Sequence, residues 1–278
     1  MPGFTSRDDL INELTVNGKH DDWFFVKTAP TTCIVGVMES LWKGVGSPGA
    51  GGDPATTPGT VITSDQTAQT AGAIWFPDRS TDLRFLLAFG AVSTQNGSLV
   101  LYDRLAGVSG VSLTSTGAKT VNSGALSRYS GTDAINNEVW LEVTTAFTTN
   151  SATLNLGAYT SADGSTGQTG GVIVTPVASA TLNQLIVMPL STTKQGVRSV
   201  EAGLTVGGTA PVAGAVNALI VKRLATIPLL ANIWNEVSFL DDIASLPAVY
   251  DNAALGLAWV ANATTAPIIQ GKVTCAYG

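Results

Sequence analysis

The stretch LVLYDRLAG, residues 99–107, has a close counterpart in LIVKRLATI, residues 219–227. Each is an apolar run that continues into Arg-Leu-Ala, and each follows a Gly-rich segment. Only 12% of the residues in this chain are charged, so the recurrence of the same charged position is informative. The two stretches indicate that one architectural unit occurs twice.

The repeat extends well beyond these two stretches. A shift of about 119 residues places Arg104 on Arg223 and Trp140 on Trp259 without a gap. Both copies read, in order, an apolar pair, a Gly-rich turn, a strand ending in Arg-Leu-Ala, a long insert, a Tyr, a Trp strand and a closing strand. A chance match within low-complexity β sequence is the alternative. Duplication is favoured because the order of at least six features is kept.

The Arg-Leu-Ala ending suggests how the chain leaves the sheet at the end of this strand in each copy. An arginine can reach solvent at the rim while the following leucine packs under the edge of a sandwich. We therefore expect Arg104 and Arg223 to lie at the solvent rim. We expect Leu105 and Leu224 to be buried.

From residue 60 onward the sequence is typical of strands and turns. Asn96-Gly97 is a strong tight-turn signal between two apolar runs. Residues 137–147 alternate with period two, which predicts a strand. One of its faces should carry Val139, Leu141 and Val143, and the other Trp140 and Glu142.

These patterns predict an all-β protein with two tandem β-sandwich modules of the jelly-roll type, related by internal duplication. The first would span residues 60–170 and the second residues 171–278. An arrangement in which the two halves share one pair of sheets fits the same sequence, and that alternative stays open.

The first 59 residues differ from the rest. Ser6, Asp9 and the spacing of the following apolar residues predict a short amphipathic helix over about residues 7–17. Residues 44–60 are dense in Gly and Pro, which favours either a surface loop or an extended arm that orders against a neighbouring subunit.

Composition excludes several classes of partner. The net charge of −6 offers no basic surface for nucleic acid. The longest apolar runs have about ten residues, far fewer than the roughly 18 to 20 that cross a bilayer. The acidic N-terminal stretch predicts no export signal and therefore synthesis in a cytosol. Cys33 and Cys275 are expected to be small buried hydrophobic residues.

No catalytic pattern is evident, so we expect neither an enzyme, nor a cofactor, nor a bound metal. The single histidine, His20, lies in a polar segment and is expected to be solvated. The paired aspartates lack the spacing of a calcium loop and are expected in caps or turns. Glu138 and Glu142 are the candidate carboxylates for glycoside hydrolysis, although both lie on one predicted strand.

A family resemblance appears in four segments: LVLYDRLAG, SRYSGTDAINNEVWLEVTTAFTTNSATLNLGAYTSADGSTGQT, GVRSVEAGLTV and ALIVKRLATIPL. In these segments the chain resembles structural proteins of tailed-bacteriophage virions, which are often all-β and rich in Gly, Thr and Ala. The resemblance covers most of residues 80–278. It implies assembly on a capsid or tail through repeated symmetric contacts.

The resulting hypothesis is a capsid decoration or cement protein, or a minor capsid protein, that stabilises the shell through many subunit contacts. It would be made in the host cytoplasm and reside in the virion. Its partners would be the major capsid protein or other virion proteins, and shell symmetry suggests a homo-oligomer such as a trimer. The candidate contact residues are Phe4, Leu10, Ile11, Leu14, Trp23, Phe24, Phe25 and Trp42.

Two other classes of function stay open. A β-sandwich associated with a tail or fibre could bind host-surface glycans through exposed Trp or Tyr side chains next to Asp or Asn. A glycan hydrolase would need two carboxylates from different strands within about 5 to 10 Å of each other.

Overall fold

The computed structural model describes residues 4–79, 82–148, 152–174, 180–241 and 246–278. One α-helix, α1, spans Arg7–Thr15, and one 3-10 helix spans Gly131–Asn136. All other regular elements of the described residues are strands. In chain order they are β1 (His20–Thr28), β2 (Met38–Ser40), β3 (Gly46–Ser47), β4 (Thr60–Val61), β5 (Arg84–Ser93), β6 (Gly97–Ser112), β7 (Gly117–Lys119), β8 (Asn137–Thr145), β9 (Ala152–Leu156), β10 (Ala158–Thr160), β11 (Gln168–Thr169), β12 (Val172–Val174), β13 (Leu185–Met188), β14 (Ser199–Val200), β15 (Leu204–Gly208), β16 (Ala215–Leu229), β17 (Asn235–Ser238), β18 (Ala248–Val249), β19 (Leu255–Ala261) and β20 (Ile268–Tyr277).

The described strands form four antiparallel sheets, and the all-β prediction is confirmed. Sheet A has the order β17-β5-β20-β1-β3, with β18 also paired to β5. Sheet B has the order β13-β8-β16-β6-β19-β2, with β4 paired to β6. Sheet C has the order β12-β9-β15-β7, and the small sheet D has the order β11-β10-β14.

The internal repeat is visible in the strands. A shift of 119 residues carries β5 to β15, β6 to β16, β7 to β17, β8 to β19 and β9 to β20. The pairings correspond as well: β5 lies between β17 and β20 in sheet A, and β15 lies between β7 and β9 in sheet C. In sheet B, β6 pairs with its own copy β16, and β8 and β19 flank this central pair. This pattern is that of a local two-fold axis between β6 and β16.

The two halves of the sequence are interlocked in these sheets. Sheet A takes β5 from the first half and β17 and β20 from the second, whereas sheet C takes β7 and β9 from the first half and β15 from the second. Strand pairing therefore crosses the boundary between residues 170 and 171. The structure has shared sheets, the alternative to consecutive modules.

The two Arg-Leu-Ala stretches meet at the local axis. Asp103 of β6 pairs with Lys222 of β16, the residue that the 119-residue shift assigns to it. Leu105 and Leu224 are buried, as predicted. The prediction of a rim position is wrong for Arg104, which is only 1% exposed because other parts of the chain cover it.

One continuous apolar core joins sheets A, B and C. It includes Phe89 of β5, Leu101 of β6 and Leu154 of β9. The predicted faces of β8 are confirmed, because Val139, Leu141 and Val143 lie in this core. Trp140 lies in a separate cluster on the other face of sheet B.

Helix α1 begins as the sequence predicts and ends two residues earlier. The Ser6 side chain accepts a hydrogen bond from the Asp9 backbone N–H, which caps the first turn. Leu10 is buried against Leu87 and Ala276 of sheet A. The helix therefore covers one end of the outer face of sheet A, the face turned away from the core.

The Gly/Pro-rich segment folds back onto its own chain. Ser47 pairs with Val26 at the edge of sheet A. Farther along, the Trp42 indole N–H donates to the carbonyl of Gly52. This part of the predicted arm therefore covers the molecule itself, and we name residues 42–53 the cover segment.

The remaining local predictions concern single residues. Cys33 and Cys275 are both free and buried, as expected, and burial raises the pKa of Cys33 to about 12. His20 is solvent-exposed at the start of β1. No helix within the described ranges is long and apolar enough to cross a membrane.

Candidate assembly surfaces

Three of the predicted contact residues are interior residues of this chain. Leu10, Phe25 and Trp42 are each no more than 2% exposed. Phe25 packs in the main core, next to Phe89 at a ring separation of 6.1 Å. Because these side chains are already buried, they offer no surface to a shell in this structure.

The other five predicted residues are accessible to different degrees. Phe4, Leu14 and Trp23 are half-buried, and each packs against an apolar cluster of its own chain. Ile11 is 49% exposed and Phe24 is 69% exposed. These two residues are therefore the ones that the structure leaves free to meet a partner.

Phe24 belongs to an apolar surface on the outer face of sheet A. Strand alternation places Phe24 and Val26 of β1 on this face. Ile268, which pairs with Thr28, and Trp234 are also large and exposed. The Trp234 ring lies over Gly90, where a Cβ would approach it to 2.6 Å. We name this surface, with the neighbouring Lys272 and Glu236, the sheet A face.

The outer face of sheet C can be compared with the outer face of sheet A, because the two sheets are related by the internal repeat. Its outward residues include Asn155 of β9, Thr205 of β15 and Ala118 of β7, which lie in one row. Val172 of β12, paired with Asn155, is a large apolar residue exposed at its edge.

The row of sheet A that matches this row of sheet C, Thr274, Ala88 and Ser238, is equally small. The larger apolar groups of sheet A lie outside these paired rows, with Phe24 on β1 and Trp234 just before β17.

Three buried arginines were not anticipated from the sequence. Among the described residues, the side chains of Arg84, Arg104 and Arg128 are at most 1% exposed. Each forms an ion pair with a carboxylate from a distant part of the chain: Asp251 at 2.7 Å, Glu142 at 2.7 Å and Asp103 at 2.9 Å, respectively. For Arg84 and Arg104 the available signal is a lone charge inside an apolar strand, because such a charge needs a buried partner. Arg128 lies in a loop, where no such signal is present.

The Arg104 pair is the centre of a polar network on the outer face of sheet B. Burial alone would raise the pKa of Glu142, but the Arg104 charge and hydrogen bonds from Ser40 and Asn217 hold it below its usual value. Asn217 also donates to Asp53 of the cover segment. The network therefore joins sheet B to the segment that covers it.

The two candidate glycosidase carboxylates are both engaged by arginines. Glu142 is fully buried with Arg104. Glu138 accepts hydrogen bonds from Arg223 at 3.0 Å and from the Trp140 indole at 2.6 Å. Residues four apart on one strand are separated by roughly 13 Å, which exceeds the spacing of a hydrolytic pair. These two residues thus form structural ion pairs.

A cleft opens beside the local axis. It has a volume of about 620 Å³ and is lined by residues that include Tyr129, Tyr250, Asp133 and Lys222. The two tyrosine rings meet edge to face at 4.9 Å, and the Lys222 ammonium lies 5.2 Å from the Tyr129 ring. Aromatic rings beside an acid are the features expected of a glycan-binding surface.

A metal centre would need several clustered ligands. Within the described ranges, no group of three or more His, Cys, Asp or Glu residues is arranged to hold an ion. Several aspartates of the predicted pairs act as caps or ion-pair partners. Asp9 contributes to the start of α1, and Asp21 binds Arg79 at 2.6 Å.

Comparison with known proteins places the chain in no family. No family model matches it, and no curated protein matches it. Among solved structures it is similar to a chain in the structure of the infectious bursal disease virus Gt strain. The identity is 11%, the match covers 96% of this chain and 86% of that chain, and the TM-score is 0.19. It is also similar to the infectious bursal disease virus VP2 subviral particle at 10% identity, over 96% of this chain and 85% of that chain, with a TM-score of 0.21. Likeness at these TM-scores is too weak to carry over a function.

Proposed function

We propose that this chain is a structural protein of a tailed-bacteriophage virion, either a decoration or cement protein or a minor capsid protein. The observation that carries the proposal is the sheet A face. It exposes Phe24, Trp234 and Ile268 on one of two matched sheets. Large apolar side chains that are exposed on the same face of a sheet mark a contact with another molecule.

The proposed mechanism is mechanical support by many weak contacts. Each copy would hold the major capsid protein or another virion protein, and the contacts of many copies would add up across the shell. Low surface charge suits this role, because each charge buried in a contact costs desolvation energy. The role requires no catalysis and no cofactor. The protein would be made in the host cytoplasm and reside in the virion.

Co-sedimentation tests the proposal. Empty shells, assembled from the major capsid protein of the same genome, are centrifuged with the purified chain. We expect the chain to pellet with the shells. The substitutions F24S and I11S, separately and together, should weaken retention because both side chains are exposed. V172S on sheet C is the matched control.

Point substitutions are preferable to removal of the N-terminal segment. Deleting residues 1–45 would remove β1 from sheet A and Trp42 from the interior, so loss of binding would only report unfolding. A chain that stays in the supernatant with intact shells contradicts the proposal, as does retention that F24S and I11S leave unchanged.

The cleft beside the local axis favours a second candidate, a tail- or fibre-associated module that binds host-surface glycans. Tyr250 and Asp133 line this cleft and supply a stacking ring and a hydrogen-bond acceptor. In a glycan array, this function predicts a saturable hit that Y250A abolishes and V172S preserves. If no glycan on the array is bound and the chain binds shells, the glycan-binding function is contradicted and the structural role is supported.

A further inference from the structure

We propose that the chain modifies itself at Asn17-Gly18, where the folded protein converts the Asn17 side chain to aspartate or isoaspartate. The sequence contains two Asn-Gly pairs, Asn17-Gly18 and Asn96-Gly97. The fold leaves the first pair free to react and holds the second pair in place. The modified residue lies at the junction between α1 and β1.

The reaction needs only the two residues and water. The backbone nitrogen of the glycine attacks the side-chain amide carbon of the asparagine, and a C–N bond forms. The nitrogen gives up its proton, the C–NH2 bond breaks and ammonia leaves, so the product is a five-membered cyclic imide. Water then opens the imide at either carbonyl, which gives aspartate or isoaspartate. Glycine favours the attack because it has no Cβ and its backbone rotates freely.

Both reacting groups of the first pair are free. Helix α1 ends at Thr15, so Asn17 and Gly18 lie outside it, and both residues are exposed. Within the part of the chain that the structure describes, neither the Asn17 side chain nor the Gly18 backbone N–H forms a hydrogen bond. The nearby bonds use other groups, because the Asn17 backbone N–H donates to Asn12 and the Gly18 carbonyl accepts from His20. The attack therefore breaks no existing contact of either reacting group.

The second pair is held by its neighbours. The Asn96 side-chain oxygen accepts a hydrogen bond from the Ala231 backbone N–H at 2.7 Å. Gly97 begins β6 and pairs with Leu229 on one side and with Ala261 on the other. Attack would pull the Gly97 nitrogen out of the sheet and the Asn96 amide away from its donor. Asn96 is exposed like Asn17, so strand pairing and hydrogen bonding, rather than exposure, distinguish the two pairs.

The junction at Asn17 connects two fixed points. On one side, Leu10 of α1 is buried against sheet A. On the other side, the Lys19 carbonyl accepts a hydrogen bond from the Tyr277 backbone N–H at 3.3 Å. Isoaspartate adds one methylene to the backbone between these points. Either product also adds a negative charge just past the C-terminal end of α1, where the helix dipole disfavours it. We therefore expect the modification to loosen α1 on sheet A.

Peptide mapping by mass spectrometry tests the site. The full-length chain is kept folded in a mildly alkaline buffer, where base speeds the attack, and samples taken over time are digested at acidic pH. Replacement of NH2 by OH changes the mass of the peptide, and chromatography separates isoaspartate from aspartate. We expect Asn17 to react at least about tenfold faster than Asn96, which corresponds to about 1.4 kcal/mol between the two barriers.

Two controls isolate the role of the fold. In urea that unfolds the chain, both Asn-Gly pairs should react at similar rates, because the same dipeptide is then free in both places. In the folded chain, N17Q should keep its amide, because its longer side chain would have to close a six-membered ring. An intact Asn17 in the aged folded protein overturns the proposal, as does an Asn96 that reacts as fast as Asn17 in the folded protein.

Hydrogen exchange tests the effect on α1. The backbone amides of α1 should exchange faster in aged protein than in fresh protein, whereas those of β6 should be unchanged. N17Q, aged under the same conditions, is the matched control and should show no change in either element. Equal exchange of α1 in the aged and fresh native chain would overturn the loosening of the helix.

Discussion

The two copies of Arg-Leu-Ala lie in neighbouring strands yet occupy opposite environments. Arg104 is 1% exposed, pairs with Glu142 at 2.7 Å and lies 4.1 Å from the Trp42 ring. Arg223 has a side chain that is 36% exposed and pairs with Glu138 at 3.0 Å. A duplicated sequence therefore fixes the position of the backbone without fixing the burial of the side chain.

The difference comes from a segment that is not duplicated. The cover segment places Trp42 over Arg104 and brings Asp53 to Asn217, on one side of the local axis. Lys27 anchors this segment through hydrogen bonds from its ammonium group to the carbonyls of Gly44 and Gly49, both at 3.0 Å. The arginine of the first copy is therefore buried, whereas the arginine of the second copy lies at the surface.

The largest effect should come from removing the buried arginine. R104M leaves the Glu142 carboxylate buried without its cation, and we expect the free energy of unfolding to fall by about 3 to 5 kcal/mol. R223M, at the matched exposed position, should cost at most about 1 kcal/mol. Urea denaturation of the two variants measures the difference, and equal losses would contradict the contrast between the copies.

The double variant R104M/E142M separates the net value of the ion pair from the cost of breaking it. Replacing both members by apolar side chains leaves no unpaired charge, so we expect the double variant to recover much of the stability lost in R104M. A double variant less stable than R104M would show that the surrounding network, with Ser40 and Asn217, depends on the charges themselves.

A substitution in the cover segment can disrupt its packing while leaving Arg104 unchanged. A Cβ on Gly51 would lie far inside van der Waals contact with the Trp42 ring, whereas one on Gly52 meets no atom within 4 Å. We expect G51A to cost about 1 to 3 kcal/mol and G52A to change stability by no more than about 0.5 kcal/mol. Thermal and urea unfolding of the pair provide the measurement.

Short-range features of the fold could be predicted from the sequence. The alternation of Val139, Trp140 and Leu141 determines which face each side chain takes, because the strand period is two. The capping pattern at Ser6 determined the start of α1. Leu105 and Leu224 are buried because an apolar side chain in a central strand has no other stable place.

Long-range features could not be read from the sequence. The copies of a repeat carry similar strands, so a strand can pair within its own copy or with the other copy at similar energy. The sequence therefore left shared sheets and consecutive modules open. The burial of Arg104 depends on a segment about 50 residues away, and Gly and Pro carry no pattern that specifies where such a segment packs.

The anchor of the cover segment should give the molecule a pH-dependent stability. Burial, with a contribution from the charge of Arg104, lowers the pKa of Lys27 to about 8 from its usual 10.5. Between these values the unfolded chain binds more protons than the folded chain, so folding becomes more favourable as the pH rises. Relative to K27M, we expect the native chain to gain about 1 to 2 kcal/mol from pH 8 to 10.5. Urea titrations of both proteins across this window measure the gain, and parallel curves would contradict it.

The smallest effect concerns the two tyrosines that meet beside the local axis. The Tyr129 hydroxyl donates to the carbonyl of Ala248 at 2.7 Å, and Tyr129 is only 4% exposed. Y129F leaves that carbonyl without its donor, so we expect a loss of about 0.5 to 1.5 kcal/mol in the free energy of unfolding. Tyr250 occupies the related position but is half-buried, where water can replace a lost partner, and Y250F should change stability by less than about 0.5 kcal/mol. If Y250F costs as much as Y129F, the two sides of the axis are energetically alike here, and the contrast seen at Arg104 and Arg223 is confined to the cover segment.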